Sequence, residues 1–149
     1  MKSKYDIGLS IVLLMICAFH VVTGGGLVFY DGFVAIAASM YGVGSEWVPS
    51  PQFLYITKPL GALMLALGVF AGVAAFKPAA HRITIYVFAG IFIARAVQRL
   101  VYSSQITEVF EIGRSRNLIN IGFFILLAIV LIVLDISARA VSGKQTSGA

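Results

Sequence analysis

Residues 85–104 read IYVFAGIFIARAVQRLVYSS, an apolar run that carries Arg95, Gln98 and Arg99 in its second half. About 20 apolar residues cross a hydrocarbon core as a helix, so this stretch has the length of a membrane span. A charge at such depth costs on the order of 3 kcal/mol or more. A chain that keeps two arginines one helical turn apart has a use for them, structural or functional.

Three further runs have the same character. Ile7–Thr23, Pro59–Phe76 and Leu118–Leu134 contain no interior charge other than at their margins. With their flanks, the four predict spans at about 7–26, 57–76, 83–103 and 117–137. The 149 residues are 60% hydrophobic and only 11% charged, which leaves no room for a separate soluble domain. The expected fold is therefore an all-α integral membrane domain, a four-transmembrane-helix bundle.

The net charge of +5 does not point to nucleic acid. Its lysines and arginines flank the apolar runs singly instead of forming a basic stretch interleaved with aromatics, and such flanking charge sets topology. Cys17 is the only cysteine, so an intrachain disulfide and a cysteine-based zinc site are excluded. The opening MKSKYDIGLSIVLLMICAFH imitates a secretory signal. No small-residue cleavage site closes it, and Ile16 stands where a lipobox needs a small residue, so it reads as a retained first span.

With the first residues inside, the cytoplasmic side collects Lys2, Lys4, Lys77, Arg82, Arg139 and Lys144. The outer connection 24–52 holds Asp31 and Glu46 and no basic residue, as the positive-inside rule predicts. The second outer connection fits less cleanly, with Arg114 and Arg116 beside Glu108 and Glu111. Both termini are expected in the cytoplasm. Gly24–Gly26 predicts the end of the first helix or a kink in it. The following LVFYDGFVAIAASMYG is too apolar for a loop and reads as an interfacial or re-entrant segment, with Tyr30, Tyr41, Trp47 and Tyr55 as headgroup-level anchors. Pro49 and Pro51 predict an extended turn before the second span.

Gly61, Gly68 and Gly72 give the second span a small face for close helix packing within the chain, and Gly90 with Ala94 offers a matching face on the third. A rise of about 1.5 Å per residue puts His20 roughly 20 Å, Arg95 roughly 18 Å and Arg99 roughly 24 Å from the inner edge. All three fall in the outer half, where Lys58, Asn117 and Asn120 also lie. Arg95, Gln98, Arg99 and Tyr102 share one helix face at i, i+3, i+4 and i+7. His20, Lys58 and this face form the candidate binding cluster, and Glu108 and Glu111 are its candidate counter-ions. The inner halves read as dry. Arg95 and Arg99 read as structural ties, as holders of an anionic headgroup, a quinone carbonyl or a small acid, or as part of a proton or ion path, although no carboxylate is read inward of them to continue it.

Known chemistries find no purchase. His20 and His81 lie at opposite ends and cannot share a haem iron. No zinc motif and no carboxylate cluster is read in a span, so no metal is expected. Cys17 and His20 are i, i+3 but lack a third orienting group, so no catalytic residue is assigned.

The stretch from Pro51 to Leu100 combines FLYITKPLGALMLALGVF, the short basic loop KPAAHR and VFAGIFIARAVQRL. It resembles the DoxX-like group of small bacterial four-helix membrane proteins. Gly61, Leu65, Ala66, Leu67, Gly68 and Arg95 or Arg99 carry the likeness. The resemblance implies a four-helix fold in a bacterial inner membrane and admits a quinone-linked setting. The reading that results is a non-catalytic accessory subunit packed against a larger membrane complex, among membrane lipids, with a homo-oligomer allowed. The alternative is a quinone- or lipid-binding component of an electron-transfer system. A small channel or transporter is the third reading.

Overall fold

The structure, a computed structural model, describes residues 4–41, 43 and 47–146, the side chains of residue 41 and of 142–146 excepted. Lys2, Glu46 and the side chains of Tyr41 and Lys144, invoked above for topology or anchoring, lie outside the described residues. The described residues form six helices: α1 Lys4–Phe29, α2 Gly32–Tyr41, α3 Pro51–Phe76, α4 Arg82–Val101, α5 Ser103–Phe110 and α6 Arg114–Thr146. α1, α3, α4 and α6 are long and apolar enough to cross a membrane. The protein is an integral membrane four-helix bundle.

Each boundary has a local cause. α3 starts six residues before the expected span because Ser50 accepts a hydrogen bond from Phe53 N at 3.2 Å and Pro51 occupies the first turn. A serine cap followed by proline is a strong start signal, so Pro51 opens a helix instead of an extended turn. α1 does not break at Gly24–Gly26 but runs through to Phe29. In an apolar medium an opened helix leaves its backbone groups unpaired, which outweighs the weak helical preference of glycine. α2 follows at once, in the segment expected to be interfacial or re-entrant.

Packing divides the bundle into two pairs, α1 with α3 and α4 with α6, joined chiefly where α1 meets α6. The α1–α3 seam is made of glycine. A Cβ at Gly24 would stand 2.7 Å from Gly61 O and 2.7 Å from Leu65 N, and one at Gly68 would stand 2.8 Å from Val21 Cγ2. Gly72 lies over Cys17. The partner of the α3 glycines is thus α1. Gly90 and Ala94, expected opposite them, are exposed, and nothing lies within 4 Å of a Cβ built on Gly90.

All four spans contribute to one core. Leu9, Leu13 and Ile16 meet Ala71, Ala74 and Ala75, with Ile85, Phe88 and Phe92 from α4 and Leu131 from α6. These residues lie toward the end where α1 begins, called here the near end. The far end carries α2 and α5. Large apolar residues such as Met15, Phe70, Val97 and Ile119 face outward, as helices immersed in lipid present them.

Candidate functional site

At the far end α4 stops at Val101 and α5 begins at Ser103; Tyr102 between them still donates to Gln98 O and accepts from Ile106 N, but its φ of −97° and ψ of 23° depart from helical values. The break is held from α6. Asn117 is fully buried, and its Nδ2 donates to Arg99 O and to Ser103 Oγ, each at 3.1 Å. An amide donor thereby reaches the carbonyl exposed by the break, as a buried backbone acceptor requires. α5 departs from the expected outer connection. The signal was present, since Ile106, Val109 and Phe110 recur at i, i+3 and i+4 among polar neighbours. The helix closes at Glu111, whose φ of 55° is left-handed.

The corner between α4 and α5 encloses a cleft of about 600 Å³. Arg95, Gln98, Arg99, Tyr102 and Gln105 supply its polar wall, and Ile106, Val109 and Phe110 its apolar one. Four of the expected cluster residues are therefore together: Arg95, Gln98, Arg99 and Tyr102. Arg95 is exposed, with its guanidinium carbon 5.9 Å from the centre of the Phe124 ring, which in turn stacks on Phe92 at 6.2 Å. An arginine over an aromatic face gains about 0.5–2 kcal/mol, which offsets part of its cost in the membrane. Arg99 is buried, its guanidinium Nε and Nη2 included.

The other candidates lie elsewhere. Lys58 pairs with Asp31 at 2.8 Å on the α2–α3 side, with both side chains substantially exposed. Arg116 donates to Met40 O at 2.8 Å at the last turn of α2. These two contacts tie α2 across the far end from α3 to α6. His20 is buried on α1; its Nδ1–H donates to Ile16 O at 2.8 Å, and its ring meets Phe88 edge-on. It does not line the cleft, and it makes no hydrogen bond to Cys17, which packs against Gly72 instead. Glu108 and Glu111, expected as counter-ions, are exposed and form no ion pair among the described residues. Their helix turns them to the surface beyond the cleft.

The near end corrects the expectation of a dry inner half. Asp135, inside the fourth span, is 1% exposed. Its Oδ2 accepts from Arg139 Nη2 at 2.7 Å and from Tyr86 Oη at 2.8 Å, and Arg82 Nη1 lies 3.7 Å from Oδ1. Arg139 Nη2 also donates to Tyr86 Oη at 3.1 Å. Burying a carboxylate costs several kcal/mol unless its lone pairs are met, and here α4 and α6 meet them jointly. The sequence signal was Asp135 four residues before Arg139 at the end of an apolar run. Tyr86 and Arg82 belong to another helix, so only folding brings them to it.

Among the described residues no group of three His, Cys, Asp or Glu side chains is placed to hold a metal ion. Compared with protein-family models, with curated proteins and with solved structures, the chain matches none.

Proposed function

We propose that this membrane protein is a non-catalytic binder of an anionic amphiphile, a lipid or lipid-like acid whose head enters the α4–α5 cleft. One observation carries the reading. Arg95 projects from a membrane-spanning helix into a cleft of about 600 Å³, and no carboxylate among the described residues pairs with it. An intramembrane cation so placed calls for an anion from outside the chain. Its guanidinium fits phosphate or carboxylate bidentately. Gln98, Tyr102 and Gln105 add donors to the head, and Ile106, Val109 and Phe110 offer apolar surface to the chain that follows it.

Among the functions the sequence allows, the cleft favours the binding component over the purely structural subunit. The distribution of Lys4, Lys77, Arg82 and Arg139 supports a near end on the cytoplasmic side with both termini inside, and the DoxX-like resemblance would make the membrane a bacterial inner one. The cleft then opens to the outer leaflet.

The test is solvent extraction and mass spectrometry of protein purified in mild detergent. An anionic lipid present in the wild type and lost in Arg95→Gln, with helical content and melting unchanged, is the expected result. Equal lipid in both proteins overturns the reading. A quinone lost in Arg95→Gln instead would favour the electron-transfer role that the DoxX-like resemblance admits.

A further inference from the structure

The Asp135 cluster contains more positive charge than its carboxylate can match. Tyr86 and Arg139 both bond Oδ2 below 2.9 Å, and Tyr86 ties α4 to α6 without Arg82. Arg82 stands 3.7 Å from Oδ1, beyond hydrogen-bond length, and its Nε donates to Ala79 O at 3.3 Å. Its remaining donors are uncommitted within the cluster. The side chains of Arg82 and Arg139 are 30% and 47% exposed, against 2% for Asp135. The carboxylate thus works from beneath, drawing two guanidiniums to one depth and leaving one positive charge unmatched at the surface.

The surroundings suit an anion with an apolar tail. Arg82 opens α4, whose first turn has no side-chain cap, so the helix dipole adds positive potential beside the two arginines. Lys77 is exposed in the preceding loop. Ile83, Val87, Val133 and Ile136 are exposed on the same two helices, toward the hydrocarbon.

We infer that Arg82 and Arg139 form a second anion site, separate from the α4–α5 cleft, that holds the phosphate of an acidic phospholipid in the near leaflet. The two guanidiniums bind the phosphate, Asp135 and Tyr86 position them, and the acyl chains lie along α4 and α6.

The test uses the full chain in an Arg95→Gln background, which removes the exposed cation of the cleft and so reads the two sites apart. Released from phosphatidylcholine nanodiscs containing a minority of phosphatidylglycerol, the protein should retain phosphatidylglycerol preferentially in native mass spectra. The preference should fall about fivefold for Arg82→Gln and about fivefold for Arg139→Gln. It should vanish in Arg82→Gln/Asp135→Asn/Arg139→Gln, which leaves no buried charge unpaired. Asp135→Asn alone should raise the preference even as it loosens the latch, because the amide oxygen still offers the guanidiniums an acceptor while the competing negative charge is gone. A cluster that only latches helices would lose stability in Asp135→Asn with no gain in lipid preference, and that result overturns the site. So does a wild-type protein without preference, or a preference that survives the triple replacement. Thermal stabilisation by inorganic phosphate in phosphatidylcholine nanodiscs, lost in the triple variant and unaccompanied by phosphatidylglycerol retention, would keep the anion site and overturn the lipid as its occupant.

Discussion

At the near end one carboxylate, Asp135, is enclosed by Tyr86, Arg139 and Arg82, whereas at the far end Arg95 stands in a cleft over an aromatic ring with no carboxylate paired to it. Both arrangements place arginine on a membrane-spanning helix. They differ in what meets the charge. Near the core, where α4 and α6 are closely packed, the protein meets it from within and gains a tie between two helices. At the far end the cleft along α4 and α5 is lined by Arg95 with Gln98, Tyr102 and Gln105, and none of these is a carboxylate. Packing decides how far an anion from the chain reaches an arginine: at the near end one carboxylate is shared between two of them, and at the far end none among the described residues pairs with Arg95.

The comparison can be broken by removing partners one at a time. The largest effect is expected for Arg139→Ala, which leaves the buried carboxylate with a tyrosine and a more distant arginine. Loss of a hydrogen bond to a buried charge predicts about 2–3 kcal/mol of destabilisation, seen as a lower melting temperature in detergent. Asp135→Leu should cost less than Arg139→Ala, because the freed arginines reach water along their flexible stems. If the order is reversed, the near end is not held by satisfaction of a buried carboxylate.

Gly68→Val comes next. Its side chain would drive into Val21 on α1, and overpacking predicts about 1–3 kcal/mol, with Gly90→Val as an inert control because nothing lies near it. Asn117→Ala withdraws the donor from Arg99 O and Ser103 Oγ, at about 1–2 kcal/mol. Faster hydrogen exchange at residues 100–106 would show that the α4–α5 corner, and with it the cleft, has loosened. The smallest effect is expected for Lys58→Ala. Its pair with Asp31 is exposed, and such pairs contribute about 0–1 kcal/mol. A large loss there would mean that α2 depends on this one anchor.

Much of the fold was legible because hydrocarbon imposes a simple rule. A span must be apolar and about 20 residues long, and that is written in consecutive residues. The four spans and the shared face of Arg95, Gln98, Arg99 and Tyr102 follow from it. The helix through Gly24–Gly26 was not legible, because there the local preference of glycine yields to the need for paired backbone and to close contact with Gly61. Lys58 was placed with the arginines by depth alone. Depth says nothing of direction around the bundle, and α3 sits on the α1 side, where Asp31 is the partner within reach.

The sequence by itself determined that this chain lies in a membrane and how many spans it has, whereas the buried charge of Asp135 at the near end escaped it. The spans are properties of single helices in an apolar medium. Tertiary structure decided which charges are met. Asp135 finds Tyr86 and Arg82 on a helix some 50 residues away in sequence. Arg95 does not find Glu108 or Glu111, although they are close in sequence, because α5 carries them outward. Whether two opposite charges meet depends on the angle between helices and the break that sets it, and no periodicity in the chain encodes that angle.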